Sequence, residues 1–403
     1  MQSPSSCRSK PSIHQEFLRI ADCFPPAETM SNSHHGCRGP AKVLGFILFI
    51  LLGIVPSSLQ WSSGRIGQSP PSSSSRRWST ATSNDNKINV GETSTIKSYE
   101  YDGWKLTYRT IVDSNEDGGE HRNVLLIHPI GIGLASWFWD PLMARIRDKN
   151  HETDGTDLRV YAPNLIGCGI SEGSDAWDPD QRGLFVPLGW AKGCEALMNQ
   201  VRDDEFDSND SPQQRDPRPW TIVAQGGLAP VGILLAARNP DRVAKLVLTS
   251  PPTWEDVTTA VPAAELERNY NLLRSPLLGK LAFYFLEKRS FVRFFSNLFL
   301  FTRDENGEAC CDVETWLDRT EGELCEEARP PVQAFNAGLC QNRSFEEELK
   351  AILRKIVVVQ GENDKRERSG YTQNLSNCEL VVVPGTTNVV PWERPEALLD
   401  LLK

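Results

Sequence analysis

Trp220-Thr221-Ile222-Val223-Ala224-Gln225-Gly226-Gly227-Leu228 is the stretch on which the fold turns. Its first six residues read as a buried strand, and after the two glycines a helix runs at once to about Arg238. Working outward, Val243 to Ser250 is a second apolar strand, and Asn123 to Ile130 (NVLLIHPI) is a third, apolar without alternation, as a strand covered on both faces must be. Leu158 to Pro163, Lys355 to Gln360 and Leu380 to Val383 add three more. Helices are expected near 138–148, near 188–202 and from about Pro395, and a hairpin over 94–101 and 104–112 turns at Asp102-Gly103. Strands alternating with helices predict an α/β fold: a mostly parallel sheet with helices on both faces. The alternation stops between Trp254 and Lys350, where the pattern is helical and reads as a cap inserted between two sheet strands.

Apolar residues make up 39% and charged residues 24%, which fits a globular body. The net charge of −10 argues against nucleic acid as a partner. The ten cysteines include no C-x-x-C pair, so no metal site is expected. Gly131, Gly133, Gly167 and Gly169 do not fall into a dinucleotide turn, there is no Walker-type loop, and no cofactor is implied.

Residues 1–90 differ in composition and read as a presequence. Residues 1–84 hold eight basic and three acidic side chains, a balance of +5, which leaves about −15 for the remainder. Val43 to Val55 is an apolar run, too short for a spanning helix of about 20 residues. Arg38 and Lys42 precede it and Pro56-Ser57-Ser58 follow, so residues 30–58 have a signal-peptide layout. Residues 59–84 are Ser-rich, Arg-bearing and free of acids, a transit-peptide composition. The pair resembles the bipartite presequence of plastid proteins of secondary endosymbiotic origin. Secretion with a Ser-rich linker is the alternative. The expected domains are therefore the presequence 1–90, a core over 91–253, a helical cap over 254–350, and the rest of the core over 351–403.

Five segments, in order, resemble the α/β-hydrolase fold. They are His128-Pro129-Ile130-Gly131, Pro163 to Ser171 (PNLIGCGIS), Asn239-Pro240-Asp241-Arg242-Val243, Gly361-Glu362-Asn363-Asp364, and Pro384-Gly385 with Glu393-Arg394-Pro395-Glu396. The resemblance covers about residues 94–403. It implies a nucleophile elbow at Ala224-Gln225-Gly226-Gly227-Leu228, a triad acid at Asp364, and a triad histidine at position 388. The chain departs from the pattern at two of the three. Gly226 offers no nucleophile, and Asn388 has no titratable nitrogen near neutral pH. The six histidines are His14, His34, His35, His121, His128 and His151, so none follows the elbow, where the triad order requires one. With Gln225-Gly226-Gly227-Leu228-Ala229-Pro230 and Asn388-Val389-Val390-Pro391-Trp392-Glu393, the chain looks like a triad-lacking set of such proteins from photosynthetic organisms.

By the same resemblance the amides of Ile130 and Gly227 line an oxyanion-type pocket above Gly226, with Gln225 and Asn388 adding neutral amide groups and His128 supporting the oxyanion loop. The expectation is a non-catalytic protein that binds a small apolar or carbonyl-containing ligand, or a protein partner, in a plastid. The competing expectation is an active hydrolase or lyase of altered mechanism, using His128 as base or Ser136, Cys168, Ser171 or Ser250 as nucleophile. In the cap, Phe283, Tyr284, Phe285, Phe291, Phe294, Phe295, Phe299 and Phe301 are interleaved with Lys280, Lys288, Arg289 and Arg293. Packing into a cap core is the plainer role for these aromatics. An apolar lid touching an anionic membrane is the sharper one.

Overall fold

The computed structural model describes residues 94–111, 121–152, 157–169, 187–205, 219–305, 307 and 309–402. The presequence expected over 1–90, and Ser171, lie outside the described residues. Among the described residues no helix is long and apolar enough to cross a membrane.

The strands are β1 (Thr95–Tyr101), β2 (Trp104–Ile111), β3 (His121–Ile127), β4 (Asp157–Pro163), β5 (Trp220–Gln225), β6 (Val243–Thr249), β7 (Lys355–Gly361) and β8 (Cys378–Val383). They form one eight-stranded sheet in the order β1-β2-β4-β3-β5-β6-β7-β8. β1 and β2 are the expected hairpin, β2 meets β4 antiparallel, and every later pairing is parallel. The core helices are α1 (Asp140–Glu152), α2 (Pro187–Glu205) and α3 (Ala229–Arg238). Between β6 and β7 lie α4 (Trp254–Thr258), α5 (Ala263–Leu273), α6 (Leu278–Leu286), α7 (Arg289–Phe299), α8 (Val313–Gly322), α9 (Arg329–Asn336) and α10 (Glu346–Ala351). The chain closes with α11 (Ser369–Asn374), α12 (Val390–Glu393) and α13 (Glu396–Leu402).

The absence of alternation in the central strands has its cause in two cores. Leu125, Ile127, Ile222, Ala224, Leu246, Leu248, Ile356 and Val358 pack on one face with α2 and α3. Val124, Leu126, Val223, Val247, Val357 and Val359 pack on the other with α1 and α13. Successive side chains of a strand point to opposite faces, so a strand covered on both is apolar throughout. Burial of this apolar surface is the main force holding the sheet.

The segment between β6 and β7 is keyed to the core by aromatic rings. Trp316 on α8 is buried, with ring centroids 5.2 Å from Trp137 and 5.1 Å from Trp392, both edge-on. Its other aromatics divide. Phe283 and Phe301 are buried, as packing predicts, but Tyr284, Phe294 and Phe295 are 55%, 46% and 42% exposed. Leu277, Leu281 and Leu298 are exposed on the same stretch. Aromatics occur around more than one face of α6 and α7, and each helix has only one inner side. Arg289 and Arg293 are engaged by Glu314, Asp318 and Glu321 of α8.

Candidate binding site

The site is built at the carboxyl end of β5. Gln225 ends the strand, Gly226 takes a φ of +62°, and the chain enters a single 3₁₀ turn, Gly226–Leu228, before α3. This is a sharp strand-to-helix elbow, and its left-handed residue is one that glycine adopts without steric cost. A Cβ at Gly226 would meet nothing within 4 Å. The next residue is glycine for the opposite reason. A Cβ at Gly227 would lie 2.3 Å from ring atoms of Phe335, on α9. So the elbow's first glycine faces open space and its second is pressed by the cap.

The open space is a cavity of about 220 Å³. Gly226 and Gly227 form part of its wall, with Ile130 and Leu134 from the loop after β3 and Phe335 and Trp316 from the cap. Polar groups on it include Gln225, Ser250, Asp256, Arg366 and Asn388.

Several of these groups form a linked arrangement. Gln225 is buried, accepts from Thr249 Oγ1 at 2.6 Å on Oε1, and donates from Nε2 to the Asn388 carbonyl at 2.8 Å. It therefore ties β5 to β6 and to the loop after β8, and it is less a free ligand group than expected. Asn388 accepts on Oδ1 from Arg366 Nη2 at 2.9 Å. Asp364 accepts the Arg366 backbone amide at 3.0 Å, with Arg366 Nε 3.6 Å away. Its other oxygen lies 2.8 Å from Nη2 of the fully buried Arg368, an ion pair rather than an aligned hydrogen bond. Arg368 also donates to the Pro251 and Arg366 carbonyls. Glu393 pins the same region, accepting from the Thr387 amide at 2.8 Å and from the Thr302 amide at the end of the cap's aromatic stretch.

His128 does not line the cavity. It is fully buried; Nδ1 bonds the Pro129 carbonyl at 2.7 Å and Nε2 accepts from the Leu165 amide at 3.2 Å. Those partners assign the neutral tautomer with its proton on Nδ1. Burial pushes its pKa down to about 4. The residue braces two loops by backbone contacts, the supporting role expected of it, and it is not a ligand-binding group of this cavity, which was the other expectation for it. Cys168 is buried, and burial pushes its thiol up to about 12, which removes the thiolate at neutral pH. Ser136 is buried near the start of α1, and its amide donates to Asn164 Oδ1 at 2.9 Å. Ser250 is the one of the three described candidate nucleophiles that lines the cavity. It has φ +45°, and its hydroxyl is buried without a partner among the described residues. Sequence reasoning missed Arg366, Arg368 and Phe335. The run Lys365-Arg366-Glu367-Arg368, basic beside the expected acid in an acidic body, was the available signal for the first two.

Residues 124–401 match the model of the Alpha/beta hydrolase family. No curated protein matches the chain. Among solved structures, Cfl2 from Burkholderia cenocepacia aligns with a TM-score of 0.55 at 16% identity, over 78% of this chain and 98% of that one. The haloalkane dehalogenase DbeA from Bradyrhizobium elkani USDA94 aligns with a TM-score of 0.51 at 16% identity, over 76% and 94%. The epoxide hydrolase CorEH aligns at 0.50 and 16%, over 76% and 96%. At such identities the likeness is one of fold.

Proposed function

The chain belongs to the alpha/beta hydrolase family, and from that premise we propose that it is a non-catalytic member that binds a small, largely apolar ligand in the cavity above Gly226. The observation that carries this is the elbow itself: it keeps its left-handed turn at Gly226 and has open space where a nucleophile's side chain would stand. Serine-type acyl transfer needs a nucleophile and a base within hydrogen-bond reach of it. Here the nucleophile position is bare and Asn388 occupies the base position. An active enzyme of altered mechanism would need a base and a nucleophile: His128 is enclosed by backbone partners, burial keeps the Cys168 thiol protonated, and Ser250, which lines the cavity, has no base as hydrogen-bond partner among the described residues. None of the three supports that alternative. The cavity, mostly apolar in lining with a few polar groups, also has the character of a ligand pocket.

The protein acts in a plastid on this proposal, which rests on the composition of residues 1–84 and on the likeness to triad-lacking proteins of photosynthetic organisms. A fusion of residues 1–90 to a fluorescent reporter tests the location, and secretion of the reporter overturns it. The binding function is tested by mass spectrometry of small molecules that co-purify with the protein, beside an assay on generic acyl esters. A bound small molecule and no ester turnover above background are expected. Clear turnover overturns the proposal.

A further inference from the structure

We infer that the ligand is a small apolar monocarboxylate whose charged head is held by Arg366 and Ser250. This rests on the proposed binding function and names the class of molecule the cavity takes.

The first argument is charge pairing. Asp364 has two guanidinium groups near it, and the fully buried Arg368 is the closer, at 2.8 Å against 3.6 Å. Arg368 has no water to turn to, so its charge must be met by Asp364. Arg366 then keeps a longer ion pair to the other Asp364 oxygen, at 3.6 Å, and a neutral acceptor, Asn388 Oδ1, as its side-chain hydrogen-bond partner among the described residues. A guanidinium carries five N–H donors in a planar fork. The Nη1 end of that fork has no partner among the described residues, on a side chain that is 36% exposed and lines the cavity. A planar fork matches a carboxylate better than it matches a ketone or ester, because both oxygens accept in parallel.

The second argument is independent of charge. Ser250 directly follows β6 with φ +45°, is 1% exposed, and has no partner for Oγ among the described residues. A non-glycine residue in that region costs about 1–3 kcal/mol. A buried hydroxyl left unpaired costs a similar amount. Its amide bond to the Val359 carbonyl at 2.8 Å fixes the strand end but does nothing for the hydroxyl. A ligand carboxylate in the cavity would accept from that hydroxyl and give the strained position a role.

One like charge shares the cavity. Asp256 lines it, but its Oδ2 accepts from the Thr253 amide in the capping box that starts α4. A carboxylate ligand must keep its head toward Arg366 and away from Asp256, which orients it. Leu134, Leu300, Phe335 and Val389 are left for an apolar tail. At about 220 Å³ the space is below the range of about 300–1,000 Å³ usual for drug-sized ligands, so the acid is small.

The test compares acids with their isosteric amides. Phenylacetate and hexanoate, each beside its primary amide, are titrated into the full-length protein by calorimetry. Expected is binding of at least one acid tenfold or more tighter than its amide, weakened by salt. Arg366→Gln removes that preference, Arg366→Lys keeps part of it, and Ser250→Ala lowers acid affinity severalfold, with thermal melting showing each variant folded. Equal binding of acids and amides, unchanged in Arg366→Gln, overturns the carboxylate inference and leaves the binding function standing. If none of the four binds and nothing co-purifies, both fall. If Arg366→Gln does not fold, the salt response and the acid-to-amide ratio of the unaltered protein decide alone.

Discussion

Arg368 Nη2 lies 2.8 Å from Asp364 Oδ2, with the two side chains 0% and 6% exposed. The acid that the hydrolase pattern assigns to orienting a histidine is here the counter-ion of a buried arginine. Removing one partner of such a pair leaves an uncompensated charge inside, at a cost of about 3–5 kcal/mol. Arg368→Met is therefore expected to destabilise the protein by about that amount, less whatever Arg366 takes over. Asp364→Asn should do the same from the other side. The double variant should lose much less than the two singles added together. Urea denaturation of all three measures this, and simple additivity would show that the pair is not coupled.

The same pairing predicts that a serine and a histidine introduced at positions 226 and 388 stay silent. Gly226→Ser has room, since a Cβ there meets nothing within 4 Å, although a side chain at φ +62° costs about 1–3 kcal/mol. Asn388→His would put an imidazole where Arg366 now donates, beside a positive charge that disfavours its protonated form. Asp364 would remain committed to Arg368. The double variant is expected to fold yet fail to react with a fluorophosphonate at a rate above the unaltered protein. Rapid labelling of residue 226 would show that Asp364 is free to serve a histidine after all.

The sequence carried the frame and lost the pairings. A strand covered on both faces must be apolar throughout, so β3, β5, β6 and β7 were legible as runs. The elbow was legible because an apolar strand passes at once into a helix pattern at Gly226-Gly227, in the place that the resemblance assigns to it. What Asp364 binds was not, because a side chain in a loop has no periodicity to betray its partner. Gln225 shows the same limit: it meets Asn388 across 163 positions of chain, through a backbone carbonyl that any residue would supply. His128 reads in the sequence chiefly as a support for the loop after β3 and secondarily as a group facing a ligand; its ring nitrogens meet backbone groups. Its segment was recognised, but a strand-end histidine can point into a cavity or away from it, and only the contacts of both ring nitrogens decide. The cap aromatics were ambiguous because α6 and α7 carry rings on both inner and outer sides.

Phe335 and Gly227 make a further prediction about the contact between cap and core. A methyl at position 227 would sit 2.3 Å from the ring, so something must move. Overpacking of this kind costs about 1–3 kcal/mol. Gly227→Ala is expected to fall in that range, and Phe335→Leu in the same chain should recover most of it. A double-mutant cycle by thermal melting gives the coupling. No recovery would mean that the strain sits in the elbow backbone and not against the ring.

The exposed apolar stretch of α6 and α7 predicts stability without solubility. Phe294 and Phe295 are not among the buried core residues, so Phe294→Ser should change stability by no more than about 0.5 kcal/mol, and Phe295→Ser by about 0.5–1.5 kcal/mol because its ring packs on Phe291 and Phe299. Contiguous exposed apolar surface promotes association. Light scattering at rising protein concentration should therefore show less self-association in the double variant. A drop in stability of the size seen for core truncations would place these rings inside the fold.

His128 gives the protein a pH dependence with a definite sign. Its folded pKa is about 4, lowered by burial from an ordinary value near 6.5. Between those values the unfolded chain binds a proton that the folded protein refuses, so stability falls as pH falls through that window. The contribution is fully present above about pH 6.5 and is spent below about pH 4. From pH 7 to pH 5 it amounts to roughly 2 kcal/mol. Burial raises the carboxyl groups of Asp140 and Glu393, which act in the opposite direction and mask the effect in the whole protein. The comparison must therefore be with His128→Gln, which cannot charge. At pH 7 the variant is the less stable, having lost the two backbone contacts of the imidazole. At pH 5 the gap should narrow by roughly 2 kcal/mol, because only the unaltered protein is penalised by the proton. Urea denaturation at the two pH values measures it. A gap that stays constant would mean that position 128 accepts a charge, and with it that the loop after β3 is open to water.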